Sequence, residues 1–357
     1  MADPQCVRFV NLRCNTHEVP KPNASEERGP TPEGQGNSES RGMDLDPQIA
    51  GIIEALDAGF PPVHTMTGAQ ARAAIRSRFV ASSTAEEVGE VRDAFVFGPA
   101  GDVTVRIYRP ASMTGPVPTV VYAHGGGFVF CDLDSHDGLC RSLTNLIPAV
   151  VVSVAYRRAP EDRWPAAAED VFAVTQWAAR NAELLGGDAR RIVVGGDSAG
   201  GNLAAATALM ARDHGAPALA AQLLLYPVIA PDFDTESYRL FGTGYYNPRP
   251  ALQWYWDQYV PSVADREHPY ASPLNADLHG LPPAVIVVAG HDPLRDEGIA
   301  FGDALVAADV PVTRCYYEGG IHGFMTMPML DVAQRARVEA CYELSGLLEA
   351  VGDSVGT

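Results

Sequence analysis

Runs of almost uninterrupted Val, Ile, Leu and Ala recur through the middle of this chain: TVVYAH from Thr119, AVVVSVAY from Ala149, RIVVGGD from Arg191, LLLYPV from Leu223 and AVIVVAG from Ala284. A strand with one wet face alternates apolar and polar residues, so strands without alternation must be covered on both faces. Helical stretches lie between the runs, including the Ala-rich segments after Pro165 and after Ser198, and they fit right-handed crossovers. The pattern predicts an α/β fold with a mostly parallel central sheet flanked by helices. Two earlier strand-like runs, VRDAFVFG from Val91 and DVTVRIYRP from Asp102, meet at a turn over Gly98–Gly101 and predict an antiparallel start. A final strand, VTRCYY from Val312, is expected to end before Glu318.

Residues 1 to about 42 have a different character from everything after them. PKPNASEERGPTPEGQGNSESRG, within residues 1–42, is rich in Pro, Gly, Ser and Glu and has almost nothing to bury. We expect residues 1–42 to be a disordered leader or a non-native extension, and residues 43–357 to form one folded domain. Just after Met43, Asp46 as N-cap and Pro47 at the first helical position announce a helix, which Ile49, Ile52, Ile53 and Leu56 continue at helical spacing. A second helix is predicted at Thr67, with Gln70 in the capping-box position. Residues 231–270 interrupt the strand–helix alternation and hold 10 of the 29 aromatic residues, Trp254, Tyr255, Trp256 and Tyr259 among them. An insertion of that length and the two N-terminal helices predict a cap, from about residues 44–85 and 231–270, over the C-terminal edge of the sheet.

Charge narrows the range of partners. Asp and Glu outnumber Lys and Arg 44 to 26, for a formal net charge of −18. Such a field repels phosphate backbones and anionic headgroups, so neither a nucleic-acid nor a membrane partner is expected. All but one of the 26 basic residues are arginine, and the lysine, Lys21, lies in the leader. No apolar run reaches the roughly 18 residues that a membrane helix needs. Arg8, Asn11 and Arg13 stand where a signal peptide would carry its apolar stretch. The six cysteines form no C-x-x-C pair and there is no H-E-x-x-H, so neither a disulfide framework nor a metal site is expected, and the cytoplasm is the expected compartment.

The densest chemistry lies in RIVVGGDSAGGN, from Arg191. A buried strand ends, Gly196-Asp197-Ser198-Ala199-Gly200 turns sharply, and an apolar helix begins, which is the strand–turn–helix setting of a G-x-S-x-G nucleophile. A Cβ at either flanking glycine would crowd the neighbouring strand or helix. A second loop, His124-Gly125-Gly126-Gly127, follows the strand from Thr119 and points backbone N–H groups into a concavity. A phosphate-binding loop would need a lysine that this region lacks, and an oxyanion hole is the better reading.

A serine nucleophile needs a base, and the base an orienting carboxylate. His322, in GGIHGF, follows the last strand, and Asp292 follows AVIVVAG, so both are placed on the same sheet edge as Ser198. The order Ser, Asp, His is the one this architecture uses. His291 as base and Asp296 or Glu297 as acid remain alternatives. The two acids also suit the first turn of the next helix, where negative charge favours the dipole. His124 precedes the serine and is expected to fix the glycine loop by a hydrogen bond.

HGGGF from His124, YRRAPE from Tyr156, GDSAGGN from Gly196, DPLRDEG from Asp292 and HGF from His322 together resemble the bacterial hormone-sensitive-lipase-like (family IV) carboxylesterases. The resemblance spans about residues 44–350. It implies an α/β-hydrolase fold with a helical cap and a Ser198–His322–Asp292 triad. It also implies an oxyanion hole from the N–H groups of Gly126, Gly127 and Ala199, supported by His124, Gly125 and Asp197. It further implies hydrolysis of small-molecule esters of short to medium acyl chain without a cofactor, commonly by a homodimer. The chain departs from the family pattern at Arg158, where leucine is usual, and at Gly290, where a larger polar residue is common. A ligand-binding relative that keeps the serine and loses the histidine is the competing reading.

Overall fold

The structure is a computed structural model, and it describes residues 8–9, 44–79 and 85–353. Its strands form one sheet of order β1-β2-β3-β5-β4-β6-β7-β8-β9. These are β1 (Arg8–Phe9), β2 (Glu90–Gly98), β3 (Gly101–Arg109), β4 (Val117–Ala123), β5 (Val150–Ala155), β6 (Gly187–Asp197), β7 (Ala221–Leu225), β8 (Ala284–His291) and β9 (Val312–Ile321). From β1 to β5 neighbouring strands pair antiparallel, and from β5 through β4 to β9 they pair parallel. Two residues of the N-terminal segment, Arg8 and Phe9, thus extend the sheet beside Phe95 and Ala94. The rest of that segment lies outside the described residues.

The helices are α1 (Pro47–Ala50), α2 (Ile53–Gly59), α3 (Gly68–Arg76), α4 (Asp137–Leu146), α5 (Ala166–Arg180), α6 (Ala182–Leu185), α7 (Ala199–Asp213), α8 (Glu236–Phe241), α9 (Arg249–Tyr259), α10 (Arg295–Ala307) and α11 (Asp331–Asp353). Side chains of α4 and α11, such as Leu143 and Leu344, share one cluster with Val120, Val151 and Val285 of the sheet. On the other face α5 and α7 pack Val174 and Leu203 against Val121 and Val152, and α10 adds Phe301 and Leu305 against Ile286. Adjacent residues Val120 and Val121 therefore enter opposite cores, which is why the strand sequences do not alternate. Each such side chain contributes about 1.5–3 kcal/mol on burial.

Two local expectations need correction. The apolar spacing from Ile49 to Leu56 predicts one helix, but the chain breaks at Gly51–Ile52 into α1 and α2. Glycine in a helix interior costs about 1 kcal/mol, enough to let packing decide the direction of a short helix. The last strand does not stop before Glu318 but continues to Ile321, which pairs with His291 beyond a register shift. Gly290 lies at that shift, and a Cβ there would stand 2.1 Å from the Glu318 carbonyl oxygen. The helix at Thr67 does form, with both halves of its capping box in place.

The strand order sets the position of the site. β4 lies between β5 and β6, so the chain reverses its direction of winding there, and a crevice opens past the carboxyl ends of β4 and β6. The N-terminal helices α1–α3 and the inserted helices α8 and α9 are the segments expected to form the cap. Its two parts meet where Phe60 packs edge-on against Tyr246 at 5.4 Å between ring centroids and the Tyr246 N–H donates to Asp57 Oδ1 at 3.1 Å. Tyr259 of α9 stacks on Phe128, with ring centroids 3.8 Å apart.

Candidate active site

The turn from β6 into α7 holds Ser198 at φ 54°, ψ −118°, a strained conformation for a residue with a side chain. The glycines around it have no room to change: a Cβ on Gly196 would lie 2.3 Å from the Gly200 carbonyl oxygen, and one on Gly200 would lie 1.9 Å from that of Ala123. The Ser198 N–H donates to the Leu225 carbonyl at 2.9 Å, anchoring the turn to β7. Its hydroxyl is thereby presented at the crevice beside the first turn of α7.

His322, just past β9, places Nε2 2.9 Å from Ser198 Oγ, and its Nδ1 lies 2.7 Å from Asp292 Oδ2. Asp292 is fully buried at the end of β8, and its other oxygen accepts the Leu294 N–H at 2.8 Å. Ser198 and His322 are also buried, at 8% and 6% exposure, so water is a weak competitor for these bonds. The structure thus brings together the serine, histidine and aspartate read from sequence, although 124 positions separate Ser198 from His322.

The glycine loop lies alongside. Gly126 and Gly127 take φ 111° and 57°, in the left-handed half of backbone space. A Cβ on Gly127 would come within 2.5 Å of the Tyr255 ring. Neither N–H has a hydrogen-bond partner among the described residues. Ala199 opens α7, where the N–H has no partner within the helix. Two unspent donors thus lie in the loop tied to Asp197, and a third directly follows Ser198.

Comparison with known proteins bears on the fold and the family. A family model for the alpha/beta hydrolase fold matches residues 120–326. Carboxylesterase NlhH of Mycobacterium tuberculosis is 36% identical over 291 residues, covering 80% of this chain and 91% of NlhH. The chain belongs to the hormone-sensitive-lipase-like carboxylesterases of the α/β-hydrolase fold. A carboxylic ester hydrolase of the same organism, LipN, is 43% identical over 245 residues, 67% of this chain and 65% of LipN, so the match spans just under two thirds of that relative. Among solved structures, a thermostable esterase from Pseudomonas putida is 35% identical with a TM-score of 0.80, covering 88% of this chain and 99% of its own.

Around the triad, this family member has a second polar cluster that sequence reasoning named only in part. The sequence offers Asp197 as a supporting residue but names no partner for it. Its Oδ1 accepts the Tyr122 hydroxyl at 2.8 Å and the Gly125 N–H at 3.0 Å, and its Oδ2 lies 3.1 Å from His136 Nε2. Burial alone would push the Asp197 carboxyl up, but His136 and Tyr122 outweigh it and hold the group below the usual carboxylate range. A Cβ on Gly125 would stand 2.4 Å from Asp197 Oδ2, which explains the first glycine of the loop. His136 carries no motif signal except its place in Ser135-His136-Asp137 after the glycine loop.

His124 makes no hydrogen bond to Ser198 among the described residues. Its Nδ1 lies 2.7 Å from the Gly125 carbonyl, and its ring stacks on Tyr156, whose hydroxyl donates to the His124 carbonyl at 2.8 Å. Burial, with His136 nearby, lowers it to about 3, so it is neutral at physiological pH. The alternatives to the triad lie elsewhere. His291 Nδ1 is 2.9 Å from the Glu318 carbonyl and its ring sits among Phe241 and Tyr245. Asp296 accepts the Ser237 N–H and Glu297 the Ile229 N–H, both from the first turn of α10. Among the described residues no group of His, Cys, Asp and Glu is arranged to hold a metal ion, and no helix is long and apolar enough to cross a membrane.

Proposed function

We propose that this carboxylic ester hydrolase cleaves short- to medium-chain esters through an acyl-enzyme formed on Ser198. His322 takes the serine proton as Oγ attacks the ester carbonyl, and Asp292 holds the imidazole in the tautomer that accepts it. The N–H groups of Gly126, Gly127 and Ala199 receive the oxyanion that develops, each worth about 2.7–4 kcal/mol of barrier. The alcohol leaves with the proton from His322, and water then cleaves the acyl-enzyme by the same route. No cofactor enters the cycle.

The observation that carries this reading is the unbroken relay from Asp292 Oδ2 through His322 to Ser198 Oγ, at 2.7 and 2.9 Å. We take residues 44–85 and 231–270 as the cap that shapes the acyl site, and a small neutral ester as the partner. The four described cysteines, none of them paired, suit a reducing cytoplasm. The test is a series of p-nitrophenyl esters from acetyl to palmitoyl, run on wild type and Ser198→Ala side by side. Rates should peak between butyryl and octanoyl, and the variant should lose on the order of a million-fold in kcat. Retention of a few per cent of activity by Ser198→Ala would overturn the mechanism, and so would failure of a fluorophosphonate to label Ser198.

A further inference from the structure

A cavity of about 850 Å³ lies beside the site, walled by Leu56, Ile75, Phe79 and Tyr246 of the cap and by Met327 and Met329. Its lining includes residues next to the site in sequence or in contact with it. Cys131 follows the glycine loop, His136 contacts Asp197, and Met327 is five residues past His322. Ser198 and His322 do not themselves line it, so the space suits a part of the substrate remote from the scissile bond.

The lining has the opposite charge sign to the chain. Four arginines, Arg72, Arg76, Arg78 and Arg158, reach the cavity against one carboxylate, Asp132, in a protein of formal net charge −18. Two of the four are neutralised: Arg72 pairs with Glu161, and Arg76 with Asp132 and Asp134. Arg78 and Arg158 have no carboxylate within 4.0 Å among the described residues. Half-buried Arg158 donates from one nitrogen to the Cys131 carbonyl at 2.6 Å, and its other guanidinium N–H groups make no hydrogen bond among the described residues. A guanidinium with no carboxylate in ion-pair contact, beside apolar walls, is screened less than a surface charge, and its planar donor fork matches a carboxylate.

We propose that this cavity is a subsite for esters bearing a carboxylate at the end remote from the scissile bond, with Arg158 as its anchor and Arg78 as a second, more exposed attraction. The inference rests on the ester hydrolysis proposed above and names a substrate class for it. An apolar spacer lies against Ile75, Phe79 and Met327 while the carboxylate meets Arg158. The charged end takes no part in bond-making, so its contribution appears in substrate capture and in kcat/KM. The carboxylate can belong to the acyl part, as in a half-ester of a dicarboxylic acid, or to the alcohol part, as in an ester of a hydroxy acid.

The experiment compares charged and neutral substrates of equal length in two arms. Mono-p-nitrophenyl suberate is set against p-nitrophenyl octanoate, and 4-butyryloxybenzoate against its benzamide counterpart. The readout is the ratio of kcat/KM, charged over neutral. In the arm that matches the subsite, Arg158→Leu should lower the ratio about tenfold, as expected for loss of one hydrogen-bonded charge pair. Arg158→Lys should keep part of it, Arg78→Leu should lower it less, and added salt should lower it in wild type. A purely structural role for Arg158, holding the Cys131 carbonyl, would depress both members of a pair alike. Ratios unchanged by Arg158→Leu and Arg78→Leu in both arms overturn the proposal. If Arg158→Leu does not fold, Arg158→Lys and Arg78→Leu decide by the same criterion. If wild type turns over no ester, the failure belongs to the hydrolase reading, and calorimetric binding of suberate decides the subsite alone. Weaker binding to Arg158→Leu or Arg78→Leu then supports it, and equal binding overturns it.

Discussion

Asp197 Oδ1 accepts the backbone N–H of Gly125 at 3.0 Å, tying the residue before the nucleophile to the loop that carries Gly126 and Gly127. Ser198 and the loop that carries Gly126 and Gly127 follow different strands, β6 and β4, and this carboxylate fixes one against the other. Tyr122 and His136 hold it in turn. Asp197→Asn keeps the volume but sets an amide N–H₂ where an acceptor is needed. The expected result is a fall in kcat of about ten- to a hundredfold with little change in KM, and a loss of about 1–3 kcal/mol of stability. Steady-state kinetics and thermal melts together check it, and a variant with wild-type kcat would show that the clamp is dispensable.

Asp292→Asn presents an amide to His322 Nδ1, which favours the tautomer with the proton on Nε2, the nitrogen 2.9 Å from Ser198 Oγ. A base already carrying that proton cannot accept another from serine. We expect kcat to drop about 10⁴-fold while the fold is kept. A loss of less than tenfold would mean that another group orients the histidine.

Gly127→Ala meets two obstacles, a backbone at φ 57° and the Tyr255 ring 2.5 Å from the new Cβ. Displacement of the loop should cost about 10²–10³ in kcat, the scale of one lost oxyanion donor. Adding Tyr255→Ala removes the ring and should restore part of the rate, leaving the backbone strain of about 1–2 kcal/mol. No recovery in the double variant would place the damage in the backbone alone.

Glu297 gives a test in pH. Burial, together with the nearby Asp292 charge, raises its carboxyl well above the ordinary 4.5, although it accepts the Ile229 N–H at 3.0 Å. The folded protein therefore keeps this proton above the pH at which the unfolded chain releases it. Its contribution to stability is full below about 4.5 and is lost as pH rises toward the folded value, by up to about 1.4 kcal/mol per unit. Glu297→Gln keeps an oxygen for Ile229 and has no proton to lose. Its melting temperature relative to wild type should thus rise from pH 5 to pH 8, and a constant difference would contradict the assignment.

Much of this protein was legible one segment at a time. Strands buried on both faces, the glycine-flanked turn at Ser198 and the capping box at Thr67 depend on residues close in sequence, whose sterics and hydrogen bonds act locally. The relative order of Ser198, Asp292 and His322 at strand ends was enough to nominate them, because a parallel sheet brings all its carboxyl ends to one edge. Other features depended on partners that no spacing rule names. Tyr122 and Asp197 are 75 positions apart and His136 and Asp197 are 61, and they meet only because β4 and β6 are neighbours in the sheet. The same holds for Arg8 and Phe9 beside β2, for the continuation of β9 to Ile321, and for Arg78 and Arg158 at one cavity. The apolar pattern and turn chemistry determined which elements form. The tertiary structure decided which polar and charged side chains share a low-dielectric space, since that depends on the packing of elements far apart in the chain.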